Sequence, residues 1–230
     1  MKKIILSTML MASTLFLTGC FITTAISTTF LLSNDRRSSG EIIDDKSIQF
    51  VLLSWPSEDK ILQDAHLNFL IYNKTVLVTG EVPTAAALDH LTAQAPSQDF
   101  KIKKVINEAR VAENSSLFNR IKDSAITAQI ETLFLDQEVF NPIHVKITTE
   151  NRTVYLMGSV TQREANFATK IVSSAQGVKR VVKLFHYLKD RPAAEIKRDK
   201  QRKIEAENEA KEAERQRQEE LLSPAFNWGK

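Results

Sequence analysis

Cys20 is the only cysteine in this chain of 230 residues, so no disulfide can form within it. No Gly-rich phosphate loop, no Gly-x-Ser-x-Gly and no His-Glu-x-x-His occurs. The four histidines, His66, His90, His144 and His186, are scattered along the chain. A metal centre needs three or four converging ligands, so neither a metal site nor a cofactor is expected, and an enzyme is the weakest reading. A long membrane-spanning run is also missing, because the apolar stretch Ile4–Leu17 falls short of a spanning helix. Large net charge is absent too. The formal charge is +3, and losing Lys2 and Lys3 with a leader would leave +1. With aromatics at 7%, that balance argues against a nucleic-acid partner.

What is present begins at the amino end. Lys2 and Lys3, the apolar run after them and the small residues before Cys20 have the layout of a secretory signal. Leu17-Thr18-Gly19-Cys20 resembles the bacterial lipobox. That resemblance implies removal of residues 1–19 and acylation of Cys20, and two or more acyl chains anchor stably where one does not. Asp after such a cysteine implies retention at the inner membrane. Phe21 stands there instead, which implies the outer membrane. Residues 20–40 read as a lipidated tether.

The remainder carries an internal repeat. "YNKTVLVTGEV" (72–82) and "ENRTVYLMGSV" (150–160) align without a gap at a spacing of 78. Asn73/Asn151, Thr75/Thr153, Val76/Val154, Gly80/Gly158 and Val82/Val160 coincide. Charge divides in the same way, with a balance of −4 over residues 41–113 and +3 over 114–190. Asn73-Lys74 and Asn151-Arg152 fit tight turns between paired strands, since Asn tolerates the left-handed conformation. Gly80 and Gly158 are expected where a side chain would obstruct a helix crossing above the strand.

The first unit (41–113) reads as helix 45–54 ended by Trp55-Pro56, strands near 66–72 and 75–79, helix 84–94 and strand 100–107. The second (114–190) reads as helix 117–135, strands 144–149 and 153–158, helix 161–175 and strand 178–188, with Gln176-Gly177 as the helix stop. The fold class is α+β: two small α-β-β-α-β sandwiches in tandem, helices on one face of each sheet. Residues 191–230 follow as a charged helical or disordered tail. Good helix formers dominate it, acids and bases nearly cancel, and its end, with Phe226 and Trp228, is a frayed terminus or a short docking peptide.

This element order with a marked glycine resembles the BON domain of bacterial envelope proteins. The resemblance covers roughly residues 35–190 and is sharpest in "DRRSSGEIIDD", "NKTVLVTG", "VKITTENRTVYLMGSVTQREA" and "GVKRVV". Lipobox and two such units together resemble lipoproteins of the outer membrane that face the periplasm. The resemblance implies binding of anionic phospholipid, support of envelope integrity and association with the division site, with envelope or division proteins as further partners.

Helix 117–135 carries the candidate site. Ile126, Ile130, Leu133 and Phe134 share one face, which meets the sheet. Leu117, Phe118, Ile121, Ala125 and Ala128 form a second apolar face, which needs the other unit or a bilayer as neighbour. Arg120 and Lys122 flank it and are placed to meet lipid phosphates. The family resemblance also assigns lipid contact to this helix. The chain departs from the family there: Ala125 replaces the inserting aromatic, and Gln129 and Glu131 replace bases. A second candidate surface is Arg163, Phe167 and Lys170, with Lys179, Arg180 and Lys183 on the last strand. The rival function is a protein-binding envelope scaffold whose acyl chains supply all membrane affinity.

Overall fold

The computed structural model describes residues 34–222. The leader, Cys20, most of the tether and the end of the tail lie outside the described residues. The chain divides after Leu188 into two compact units. The first contains α1 (Ser39–Glu58), β1 (His66–Tyr72), β2 (Thr75–Val82), α2 (Ala85–Gln94), β3 (Lys104–Asn107) and β4 (Arg110–Val111). It continues with α3 (Leu117–Leu135), β5 (Val145–Glu150), β6 (Thr153–Thr161), α4 (Gln162–Ser174) and β7 (Arg180–Leu188). The second holds α5 (Ala193–Leu222), a single charged helix in which Arg202 pairs with Asp199 and Arg215 with Glu212.

Each repeat is α-β-β-α-β. β1 and β2 form an antiparallel hairpin, and β3 and then β4 return beside β2 in parallel. β5, β6 and β7 repeat the plan in one uninterrupted sheet. A parallel return needs a crossover, and α2 and α4 supply it. Caps set the helix starts. Ser38 accepts from Glu41 N–H, Thr84 from Ala87, Ser116 from Asn119 and Thr161 from Glu164.

Several sequence expectations change, among them the start of the first helix, which begins at Ser39 rather than at 45 and so takes in the end of the span read as tether. Pro56 does not end α1 but lies inside its last turn. Its missing N–H removes one helical bond, while Asp59 N–H still caps the Trp55 carbonyl at 3.0 Å. The strand placed at 100–107 starts at Lys104. Leu133, assigned to the sheet-facing stripe, is 38% exposed, whereas Ile126, Ile130 and Phe134 are buried. The glycines also have a different reason. A Cβ on Gly80 would lie 1.9 Å from the His66 carbonyl oxygen, and one on Gly158 2.1 Å from that of His144. The obstruction is the neighbouring strand's backbone, not the helix, and both φ angles are positive, +116° and +155°.

Both hairpin turns hold two residues at positive φ, Asn73 and Lys74, then Asn151 and Arg152. One buried carboxylate pins each turn. Asp45 on α1 accepts from Asn73 and Lys74 N–H at 2.8 and 2.7 Å, and Asp123 on α3 accepts from Asn151 and Arg152 N–H, both at 2.8 Å.

The cores explain how the repeats join. Ile48, Leu52, Val76, Val78 and Leu91 close the first sheet against its helices. Ile126, Ile130, Phe134, Val154, Leu156 and Val172 do so in the second. Alternate strand residues point the other way, and there Tyr72, Leu77, Tyr155 and Met157 form a third cluster. The two sheets therefore stack back to back with helices outside. The second apolar face of α3 is not needed for that junction.

Candidate membrane-facing site

Asp123, Ile126, Ile130 and Phe134 recur at helical spacing and turn one side of α3 inward. The opposite side is left open. Leu117 is 72%, Phe118 65% and Ile121 57% exposed, and Ala125 and Ala128 are exposed beside them. Leaving three large apolar side chains in water is costly, since burying each is worth about 1.5–3 kcal/mol. The Lys122 ammonium lies 4.2 Å from the Phe118 ring centroid. Arg120 is half-buried, and its Nε donates to the Ser115 carbonyl at 2.9 Å.

A groove of about 520 Å³ opens next to this face, between α3, the Asn151-Arg152 turn and the Gly177–Lys179 loop. Ala125, Ile126 and Gly177 give it apolar walls, and Lys122, Arg152 and Lys179 line it with three bases. The Arg152 Nε donates to the Gly177 carbonyl at 2.7 Å. Asp123 also lines the groove, but both its oxygens accept from the turn. The small side chain of Ala125 borders this open volume. Sequence reading missed Arg152, although its place in the repeated turn, opposite Lys74, puts it at the sheet's end.

The residues of the second candidate surface differ in exposure and partners. Arg163, Lys170 and Lys183 are exposed, Phe167 packs half-buried against the second core, and Arg180 pairs with Glu108 at 3.3 Å. Of that set, Lys179 joins the groove described above. A further exposed apolar side, unread in the sequence, lies on α1, where Ile43, Phe50 and Leu53 are 67%, 78% and 62% exposed.

In space, His66 and His144 sit in separate polar surroundings, one at the start of each hairpin. His144 is fully buried, and its Nε2 donates to the Asn34 carbonyl at 2.9 Å. His66 Nδ1 lies 3.1 Å from Glu81 Oε2, and Glu150, from the other repeat, joins the same cluster. Burial would raise the Glu81 carboxyl, yet bonds from Arg110, His66 and Ser115 outweigh it and hold it below its usual value. Burial pushes the Glu150 carboxyl up, opposed by one bond from Asn68 at 2.7 Å. The expectation of no converging metal ligands therefore rested on sequence separation that the stacked sheets remove.

Fold and site together define a tandem α+β repeat protein with one apolar and basic surface. The BON domain is matched twice, at residues 44–113 and 122–189. The chain is 34% identical over 183 residues to the outer membrane lipoprotein DolP of Haemophilus influenzae, covering 78% of this chain and 94% of that one. It is 28% identical over 155 residues to the 21 kDa hemolysin of Actinobacillus pleuropneumoniae, covering 67% and 79%. Among solved structures, the structural protein CdsD of the Chlamydia trachomatis type III secretion system aligns over 63% of each chain, at 10% identity and a TM-score of 0.25. The chain belongs to the BON-domain family. It is DolP-like, an outer-membrane lipoprotein, and none of its described helices is long and apolar enough to cross a membrane.

Proposed function

We propose that this protein, acylated at Cys20 and facing the periplasm, binds anionic phospholipid through the amino-terminal half of α3 and so supports envelope integrity. The observation that carries the reading is the adjacency of Leu117, Phe118 and Ile121, all exposed, to a groove lined by Lys122, Arg152 and Lys179. Inserting the apolar trio gains burial energy, and each base near an anionic surface adds about 1 kcal/mol. The role is binding rather than catalysis, and a division-site location is the finer implication of the family resemblance.

The anchor geometry is compatible with this orientation. Asn34 and Arg36 hold to His144, Ser159 and Glu164, at the end of the second sheet opposite the Asn151 turn. The nine residues of β6 span about 30 Å. Thirteen residues lie between Cys20 and Asn34 and can reach at most about 50 Å, enough to cross that length.

The test uses a soluble form beginning at residue 21, mixed with phosphatidylglycerol, cardiolipin or phosphatidylcholine vesicles. Binding to the first two, weakened by salt, is expected. Absence of binding to all three would refute headgroup recognition. The scaffold reading would then stand, and the exposed Ile43, Phe50 and Leu53 beside the acidic residues Glu41 and Asp44 favour that surface for a protein contact.

A further inference from the structure

We propose that the cleft between the two BON units binds one divalent transition-metal ion of the zinc class, held by His66, Glu81 and Glu150. The three donor atoms, one from each side chain, lie within 4.8 Å of one another. Tetrahedral zinc with bonds near 2.0–2.2 Å sets its ligands roughly 3.3 Å apart, so the 3.1 Å between His66 Nδ1 and Glu81 Oε2 already matches. A small carboxylate movement brings Glu150 in. One imidazole with two carboxylates suits zinc and its neighbours, whereas calcium and magnesium take oxygen alone.

Two independent features point to a cation at this place. First, Glu150 is 7% exposed, and no Lys or Arg is bonded to it among the described residues; its one hydrogen-bond donor is the neutral amide of Asn68. A buried carboxylate beside a second, fully buried one is a costly arrangement without a positive partner. Arg110 bonds the Oε1 of Glu81 and leaves Oε2 toward His66 and Ser115. Second, the repeat provides an internal comparison. A shift of 78 residues converts His66, Glu81 and Tyr72 into His144, Ser159 and Glu150. At the related end of the sheet stack, Ser159 N–H donates to the Tyr72 hydroxyl at 3.1 Å, a neutral contact. The buried Glu164 near that junction has its own cation, Arg36, through two 2.8 Å bonds, whereas no Lys or Arg is bonded to Glu150 among the described residues.

Access and coordination both fit. His66 and Glu150 open onto a polar cleft of about 440 Å³, shared with Asn68, Arg120 and Thr149. Water from the cleft can fill a fourth position. Metal on His66 Nδ1 takes the place of the hydrogen bond to Glu81, and the neutral imidazole then carries its proton on Nε2. His66 and Glu81 belong to one repeat and Glu150 to the other, so the ion ties the two sheets together.

The experiment uses the full lipidated chain in detergent micelles, titrated with zinc chloride and, separately, with magnesium and calcium chloride. Calorimetry is expected to show one zinc per chain and a melting temperature raised by several degrees, with no response to magnesium or calcium. Glu150→Gln keeps the volume and is expected to remove the zinc-dependent shift while leaving metal-free melting unchanged or higher. His66→Gln gives the second arm should Glu150→Gln fold poorly, and Co(II) absorption reports nitrogen ligation directly. His90→Gln, at the separate His90–Asp59 pair, is expected to change nothing. Absence of zinc binding, or zinc binding that survives both Glu150→Gln and His66→Gln, would overturn the proposal. Vesicle binding through α3 is read separately and is independent of either result.

Discussion

The Arg36 guanidinium grips the Glu164 carboxylate through two 2.8 Å bonds across 128 residues of sequence. Its neighbour Arg37 turns the other way, to Asp35 and Asp45, with its guanidinium 4.6 Å from the Tyr72 ring centroid. The segment leading into the first BON unit is therefore clasped to α4 of the second. Burial would raise the Glu164 carboxyl, but Arg36 and the Thr161 N–H outweigh it and lower it from 4.5 to about 2.

The sign of the pH effect follows from that depression. The contribution is complete above pH 4.5 and is lost as pH falls toward about 2. Glu164→Gln is expected to lack this part of the acid sensitivity, about 3 kcal/mol in the parent. Arg36→Met, which strands a buried carboxylate, is expected to cost about 3–5 kcal/mol at neutral pH. Denaturant titrations between pH 2 and 7 check both, and parallel pH profiles for parent and Glu164→Gln would count against the clasp.

Asp123→Ala removes both bonds to the Asn151-Arg152 turn and is expected to cost about 2–4 kcal/mol, since bonds to a charged acceptor are the stronger kind. Asp45→Ala is expected to cost a similar amount in the first unit, where the same two bonds recur. Melting temperatures of the two variants check the equivalence.

Gly158→Val is expected to destabilise by a few kcal/mol or to prevent folding, because its Cβ would lie 2.1 Å from the His144 carbonyl oxygen. Backbone cannot yield as a flexible side chain can. An unchanged melting temperature would show that β5 shifts freely.

Local features of this fold were readable, and long-range ones were not. The strands were readable from the repeated apolar segments, the turns from Asn before Lys or Arg, and α3 from its apolar stripes. The pins at Asp45 and Asp123 share the 78-residue spacing, yet each acts 28 residues ahead in sequence, and nothing local marks an acid as a turn anchor. Back-to-back stacking had a signal that went unused. "TVLV" and "TVYLM" are apolar on both faces, as strands buried on both sides must be. Pro56 misled because a proline costs little where a helix is ending anyway. The apolar trio of the candidate site was legible from helical spacing. Its groove was not, because Arg152 and Lys179 reach it from separate loops.

Cys20 lies outside the described residues, and its role is tested in the cell. Cys20→Ala removes the thiol that a thioether needs, so an uncleaved or soluble precursor is expected in fractionation. Normal processing with outer-membrane recovery would refute acylation at this residue.

Phe118→Glu together with Ile121→Glu bears on the lipid mechanism most directly. Both side chains are more than half exposed, so the double variant is expected to melt within about 1 kcal/mol of the parent's stability. Vesicle binding is expected to vanish, since two apolar insertions are lost and two negative charges face an anionic surface. Lys122→Gln with Arg152→Gln separates the other half of the mechanism. Each base contributes about 1 kcal/mol, so this pair is expected to weaken binding to phosphatidylglycerol about tenfold or more and to flatten its salt dependence. Ala125→Trp adds a complementary test. A large ring beside the groove at Ala125 extends the apolar face without touching the buried stripe, so binding is expected to tighten at unchanged stability. If the double glutamate variant binds like the parent, α3 does not meet the membrane. The exposed bases Arg163 and Lys170 on α4 then become the surface to probe.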